Sequence, residues 1–574
     1  MKYTAIFIVL LVFLLLGCKN QSTTHSLRPA KGGKKYGSTY RINMIRGNPN
    51  GLDPVIITSK LADDIALQIY DRLITFDSLL NIKPELAKSW DISQDGLRYT
   101  FHLRTDVYFH DNICFPNGLG RRMTSQDVCY SFNRCCDPRT RTAAMWVFKD
   151  KVVGANEYYH NYGSPNPDTS FKSVKGIIPL NDSTVQITLT RAYAPFIMQL
   201  ANALGCIVPK EAVVFYGQDF FKNPVGTGAY IFDSWKEDYQ IVLRRNTKYW
   251  QYDNQLNRLP FLDTIIVSFV KDDKIQFQDF KSGNLDESFN IPTELFPAIL
   301  DIETRTPKSN VDFVVQQKPA MLSWFIDMLC TKPPFNNADV RRAFSYAIDK
   351  EKISKYVLRN SPYQPAHNGI TPPVMPGYDI SSITGFEYNP ALAQQYLSQA
   401  GYPKGKDFPQ VTLSIYPEPR LIQVAEAVQQ MLAENLNINI NIKVIQFAQL
   451  LDLAEAGKLQ FWCTRWYGDY PDVENYLSLL DGSLVPVLDN QPSYPNSTRY
   501  NNPEFNTLLS KSVAITDIQT RNEMYKQAEL IVTKDAPCIM LFYDMHYRLL
   551  QPYVRDYPLD AMNRIQIKHA WFAW

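Results

Sequence analysis

Beyond residue 16 this sequence has no apolar run of the roughly twenty residues that a membrane-spanning helix needs. It has no basic stripe either: 59 Lys and Arg stand against 57 Asp and Glu, a formal net charge of +2. That balance argues against nucleic acid as a partner. The seven histidines are scattered. There is no His-Glu-x-x-His zinc helix, no Gly-x-Ser-x-Gly elbow and no phosphate-cradling Gly-x-x-x-x-Gly-Lys loop, so the chain carries no enzyme signature. His110 and Cys114 have the i, i+4 spacing of a metal pair, but Asn112 and Pro116 break the helix such a pair needs. Neither a metal nor a cofactor is expected. Internal repeats are absent. The nine cysteines lack the spacing of a small stapled scaffold, and adjacent Cys135 and Cys136 cannot easily bond each other.

What is present starts with Met1-Lys2 and an apolar run from Ala5 to Leu16, the length of a signal-peptide core. The run closes on Leu15-Leu16-Gly17-Cys18, which reads as a lipobox. Residues 1–18 are therefore expected to be a lipoprotein signal peptide, with Cys18 the lipidated first residue of the mature chain. Residues 19–38 are polar and nearly free of apolar side chains, the composition of a flexible tether. These features predict an extracytoplasmic lipoprotein held at a membrane, in the periplasm or at the cell surface, where disulfides are permitted.

From Thr39 to about residue 290 the chain is rich in short alternating runs, such as Leu97-Tyr99-Phe101-Leu103 and Val185-Ile187-Leu189, the period of a sheet with one face buried. Gln94-Asp95-Gly96, Asn181-Asp182 and Gly226-Thr227-Gly228 supply turns between them. The second half is more helical. Helices are predicted from Ala338 to Val357, Pro390 to Ala400, Leu421 to Leu436 and Gln519 to Val532, with strands at Thr412–Tyr416 and Ile438–Ile442 between them. Alternating strand and helix argue an α/β lobe. The polar stretch Asp489–Asn502 reads as a surface loop.

Several phrases occur in a characteristic order: Gly51-Leu52-Asp53-Pro54, Leu86-Ala87-Lys88-Ser89-Trp90, Tyr99-Thr100-Phe101-His102-Leu103-Arg104, Phe109-His110-Asp111 and Pro224-Val225-Gly226-Thr227-Gly228-Ala229-Tyr230. Arg245-Asn246-Thr247-Lys248-Tyr249-Trp250 and Val340-Arg341-Arg342-Ala343-Phe344 continue the series. Together they resemble the dipeptide- and oligopeptide-binding proteins of bacterial ABC importers, extracellular solute-binding protein family 5. The resemblance covers essentially all of the chain after residue 38. It implies an α/β, two-lobed periplasmic binding protein of type II (Venus-flytrap), with an extra domain inserted in the first lobe. Carried over, lobe I comprises residues 39–72, 205–290 and 541–574, the inserted domain 73–204 and lobe II 291–540. The chain would be a monomer and no enzyme. It would capture an extracytoplasmic peptide between its lobes and deliver it to the importer's permease subunits. The alternatives are a non-peptide solute, such as an oligosaccharide or a nickel complex, or a sensory protein without a permease.

The resemblance also nominates ligand contacts. Asp469, in Trp466-Tyr467-Gly468-Asp469-Tyr470-Pro471-Asp472, corresponds to an aspartate that pairs a peptide's α-ammonium in relatives. The physics agrees, because an ammonium taken out of water needs an opposite charge. Trp466, Tyr467 and Tyr470 would wall that carboxylate, and Asp472 is the alternative carrier. Arg420 is the candidate cation for a free carboxyl terminus. Ser323, Trp324 and Phe325 are candidates for edge contacts and stacking with an extended ligand.

Overall fold

The structure, a computed structural model, describes residues 27–44, 48–289 and 291–574. The expected signal peptide and Cys18 lie outside the described residues. Three sheets organise the rest. In the first, strands Tyr230–Lys236, Gln240–Arg245, Thr264–Ser268 and Thr39–Asn43 lie side by side in that order. The first three are antiparallel, and the last pair is parallel. A parallel pair needs a long crossover, and here the chain between Asn43 and Tyr230 builds a further unit that shares one hydrophobic core with this sheet. That unit holds the second sheet, ordered Ala87–Ile92, Arg98–Leu103, Thr184–Thr188, Ile177–Asn181 and antiparallel throughout. Tyr99, Phe101 and Leu103 are buried while Arg98 faces out, the alternation read from the sequence. The helix Ser125–Cys135 covers the inner face, opened by a capping box between Thr124 and Asp127.

The third sheet is the largest. Its order is Glu287–Ser288, Cys538–Leu550, Val314–Met328, Phe461–Tyr467, Thr412–Ile415, Asn441–Val444, with Gln364–Pro365 also pairing Cys538–Leu550. Parallel pairing of Thr412–Ile415 with both neighbours is made possible by the crossover helices Pro419–Leu436 and Phe447–Glu455. The predicted helices are found at Ala338–Ala347, Pro390–Gln399, Pro419–Leu436 and Ile518–Asp535. Asn337, Asn389 and Asp517 cap three of them through side-chain oxygens. The helix expected to reach Val357 ends ten residues early, because Asp349 starts a new turn by capping Lys352 N.

Val314–Met328 and Cys538–Leu550 are long strands, and they join the two halves of the molecule. Their register runs from Val314–Leu550 to Pro319–Met545, then resumes at Ser323–Tyr543. Three residues, Ala320, Met321 and Leu322, thus face only Asp544, a bulge that bends the ladder. On one side of it Tyr547 and Leu549 pack with Phe277, Phe280, Leu285, Phe296, Ile299 and Leu300. On the other, Trp324, Ile326 and Met328 join the lobe II core around Phe344, Leu413 and Phe461. Phe296, Ile299 and Leu300 thus pack with residues 277–285 and 547–549, on the other side of the bulge from Trp324, Ile326 and Met328. A crossing inside one continuous strand leaves no turn residues to mark it.

The tether expectation also changes. Residues 28–36 form a small hairpin, Arg28–Pro29 against Lys35–Tyr36, docked on lobe I. Tyr36 supplies the anchor, its ring 5.2 Å from Phe261 and its hydroxyl bonded to Arg258 O. Only residues 19–26 of the expected tether lie outside the described chain. All eight cysteines from Cys114 to Cys538 are unpaired.

Candidate functional site

A cleft of about 1890 Å³ opens beside the bulge, lined from both lobes and the inserted domain. A drug-sized ligand fills roughly 300–1,000 Å³, so this space suits something larger. Its lobe II wall is the end of strand Phe461–Tyr467 and the turn that follows. Gly468 N donates to Met321 O (2.9 Å), seating the turn on the bulge. A β-carbon at Gly468 would stand 2.5 Å from Met321 Cε and 2.6 Å from the Tyr476 hydroxyl, so any larger residue would have to displace both side-chain ends.

Asp469 follows and opens into the cleft. Asn475 holds this corner: its Oδ1 accepts from Asp469 N (2.9 Å) and from Trp466 Nε1 (3.0 Å). Among the described residues no Lys, Arg or His forms an ion pair with Asp469. Loss of hydration pushes its carboxyl up to about 6, with the nearby Asp63 charge adding to the rise and Asn475 opposing it. The site thus holds a carboxylate that wants a cation. Asp63 itself lines the cleft from the helix Lys60–Ile69, where its Oδ1 accepts from Ala203 N (3.1 Å).

Tyr467 and Tyr470 flank Asp469 with fixed rings. Tyr467 donates to Met562 O (2.5 Å) and lies 3.1 Å from His546 Nε2. Burial lowers His546 to about 4, so the ring is held neutral beside the tyrosine hydroxyl. Tyr470 donates to Glu474 Oε2 (2.5 Å) and stacks on Trp146 of the inserted domain, centroids 6.4 Å apart at 16°. Ala194 N also donates across to Val513 O (2.7 Å). The inserted domain and lobe II therefore touch beside the proposed ligand corner. Lys151 sits at this junction, bonded to Trp146 O (2.7 Å) and Gln199 Oε1 (3.2 Å). Burial lowers its ammonium to about 8, against the raising effect of Glu474.

The structure brings Trp466, Tyr467, Asp469, Tyr470 and Arg420 to the cleft wall. Arg420 is not free. It pairs with Asp544 at 3.2 Å, and Trp324 Nε1 donates to the same carboxylate (3.0 Å). Burial raises the Asp544 carboxyl, but Arg420 overrides this and holds it below its usual range. Ser323 and Trp324, nominated for edge contacts and stacking, are both buried behind the wall. Ser323 Oγ donates to Ile370 O (2.7 Å), and Trp324 stacks on Phe542 at 5.5 Å. Phe325 is buried as well. Their strand is central in its sheet and covered on both faces, so neither alternate face reaches solvent. Asp472 pairs with Arg521 (3.2 Å) with both side chains buried, a structural role. His110, the other member of the sequence's metal spacing, is buried with Nε2 on Gly228 O (2.9 Å).

Trp146, Lys151, Tyr193 and Asp63 line the cleft and were not nominated from the sequence. Trp146 and Lys151 sit in a region without a distinctive motif, over three hundred residues from Asp469 in the chain. Only Asp63, in the first turn of its helix, offered a local signal.

Residues 81–484 match the family described as bacterial extracellular solute-binding proteins, family 5 Middle. The chain is similar to heme-binding protein A of Haemophilus influenzae, 30% identical over 565 residues that cover 95% of this chain and 94% of that protein. It is similar to the dipeptide-binding protein of Escherichia coli at 26% over 529 residues, 90% of this chain and 92% of the other. Among solved structures, the ABC transporter-associated periplasmic binding protein of Helicobacter pylori, in complex with the peptide STSA, superposes with a TM-score of 0.75. The two chains are 25% identical, with 94% of this one and 98% of the other covered.

Proposed function

This chain belongs to the bacterial extracellular solute-binding proteins of family 5, and we propose that it captures peptides by their free α-ammonium and passes them to an ABC importer. The observation that carries the reading is Asp469: a carboxylate open to a large cleft, walled by aromatic rings, with no ion pair to a Lys, Arg or His among the described residues. An incoming ammonium would recover by ion pairing what it loses by leaving water. Aromatic walls exclude water and leave side-chain identity loosely specified. A ligand held at Asp469 and reaching the lobe I lining would contact both halves, the condition for a ligand to shift an open–closed equilibrium. The bulge at Ala320–Leu322 is the hinge in this reading. Cys18 carries the lipid that keeps the protein near its permease, and ATP is hydrolysed by another subunit.

A second reading is favoured by one observation, the 30% identity to a protein named for heme binding. Isothermal titration with refolded protein separates the two. A tripeptide with a free amine should bind, its N-acetylated form should bind far more weakly, and hemin should give no Soret shift. A saturable Soret shift with no peptide binding would reverse the assignment.

A further inference from the structure

The described chain begins at Leu27 on a surface that its own first residues help to build. The hairpin 28–36 is clamped from two sides. Lys31 N donates to Asn257 Oδ1 (2.8 Å), and Lys34 Nζ lies 3.2 Å from Asp253 and 2.8 Å from Asp556. Lys35 Nζ donates to the carbonyl of Trp574. The N-terminal hairpin, the turn 253–257 and the C-terminus therefore share one face.

Large apolar side chains stand out from that face: Leu256 is 70% exposed, Trp574 49% and Tyr252 47%. Leu256 occupies φ +61°, where Asn or Gly is the ordinary choice, and the turn presents a leucine there instead. Cations surround these side chains: Arg28, Lys31, Lys34, Lys35 and Arg258. The carboxylates among the five cations are four, Asp253, Asp263, Asp556 and that of the C-terminal Trp574, each already paired with one of those cations. The face is thus net positive with isolated apolar tips.

We propose that this face docks on an anionic phospholipid surface, an inference that rests on the reading of Cys18 as the lipidated residue. Only residues 19–26 separate Cys18 from Leu27. At most about 3.5 Å per residue, that link keeps Leu27 within about 30 Å of the bilayer, so this face is held against the membrane at high local concentration. The side-chain types fit the site. Tyr and Trp rings settle at headgroup level, a leucine tip enters the acyl boundary, and Lys and Arg pair with lipid phosphates. A protein partner fits less well, because the buried centres of protein interfaces are depleted in lysine. Docking would fix the orientation in which lobe I, and with it the cleft, is offered to the membrane.

The test is hydrogen–deuterium exchange on the full-length chain, produced with its N-terminal segment and reconstituted on vesicles of phosphatidylglycerol or of phosphatidylcholine. Segments 27–36, 251–258 and 571–574 should exchange about fivefold more slowly on phosphatidylglycerol, and about 0.5 M NaCl should remove the difference. The double variant Leu256→Asp, Lys31→Glu should lose the protection while ligand binding in the cleft is unchanged. Equal exchange on both lipids, or protection that salt and the double variant leave intact, would overturn the docking. Protection that appears only when a permease complex is added would assign the face to protein. Intact mass decides the anchor separately. If Cys18 carries no lipid, the anchor reading fails, and docking is then supported or refuted by whether the same chain co-sediments with phosphatidylglycerol vesicles.

Discussion

Replacing Asp469 by Asn removes one charge and leaves the rest of the corner in place. Asn475 still bonds the main-chain N–H of residue 469 and the indole of Trp466, so the turn keeps its shape. Removing one partner of a desolvated charge pair costs about 2–5 kcal/mol, which corresponds to a loss of about 30-fold to several thousand-fold in peptide affinity. Acetylating the ligand amine in the wild type removes the other partner and should cost a similar amount. The two changes together should cost little more than either alone, the non-additivity of a direct contact. Acidity gives an independent reading. In the unliganded protein the carboxyl titrates near 6, mainly through lost hydration, and a bound ammonium would draw it well below. Affinity is then highest near pH 7, below the point where the ligand amine loses its own proton, and falls as pH drops through 6, by about tenfold at pH 5, with a proton released on binding in that range. The Asn variant should show no such slope. Calorimetry of four combinations, wild type and variant against free and acetylated peptide, tests all of this. A variant that binds free peptide within threefold of wild type, with the same pH slope, would refute the role given to Asp469.

Three further outcomes follow from contacts at the same cleft. Trp146→Ala removes the ring stacked on Tyr470; an aromatic pair is worth about 0.5–1.5 kcal/mol beyond its area, so stopped-flow release of ligand should quicken about two- to tenfold, with Trp146→Phe close to wild type. Gly468→Ala drives a methyl group into Met321 and Tyr476; urea unfolding should show a loss of about 1–3 kcal/mol, and peptide binding should weaken as the turn shifts. Arg420→Ala leaves the Asp544 carboxylate buried beside Trp324 without its cation, and should cost about 1.5–3 kcal/mol of stability while changing peptide affinity less than Asp469→Asn does.

The sequence displayed the architecture well wherever local chemistry and tertiary need coincide. Tyr99, Phe101 and Leu103 alternate because one sheet face is buried, and Asn337, Asn389 and Asp517 mark helix starts because orphan N–H groups need acceptors there. The site was half legible. Trp466 to Tyr470 is contiguous in sequence, so a single phrase carried that wall. The opposite wall is assembled from Asp63, Trp146, Lys151 and Tyr193, which only the fold brings together. The burial of Ser323 and Trp324 was illegible for a different reason. Their sequence says aromatic and polar on a strand, but not that the strand is central, and centrality buried both. The hairpin 28–36 was hidden because its stability comes from partners more than two hundred residues away, in residues 253–263 and 556–574, and not from its own composition.

The central claim is that the cleft selects a free amine. Native mass spectrometry of wild-type protein, unfolded and refolded to strip carried ligand, tests it with one sample containing a mixed tripeptide pool, the same pool N-acetylated, and hemin. The account predicts that the retained mass is almost entirely free-amine peptide and that Asp469→Asn abolishes the preference. Retention of hemin, or equal retention of acetylated and free peptides, would contradict it.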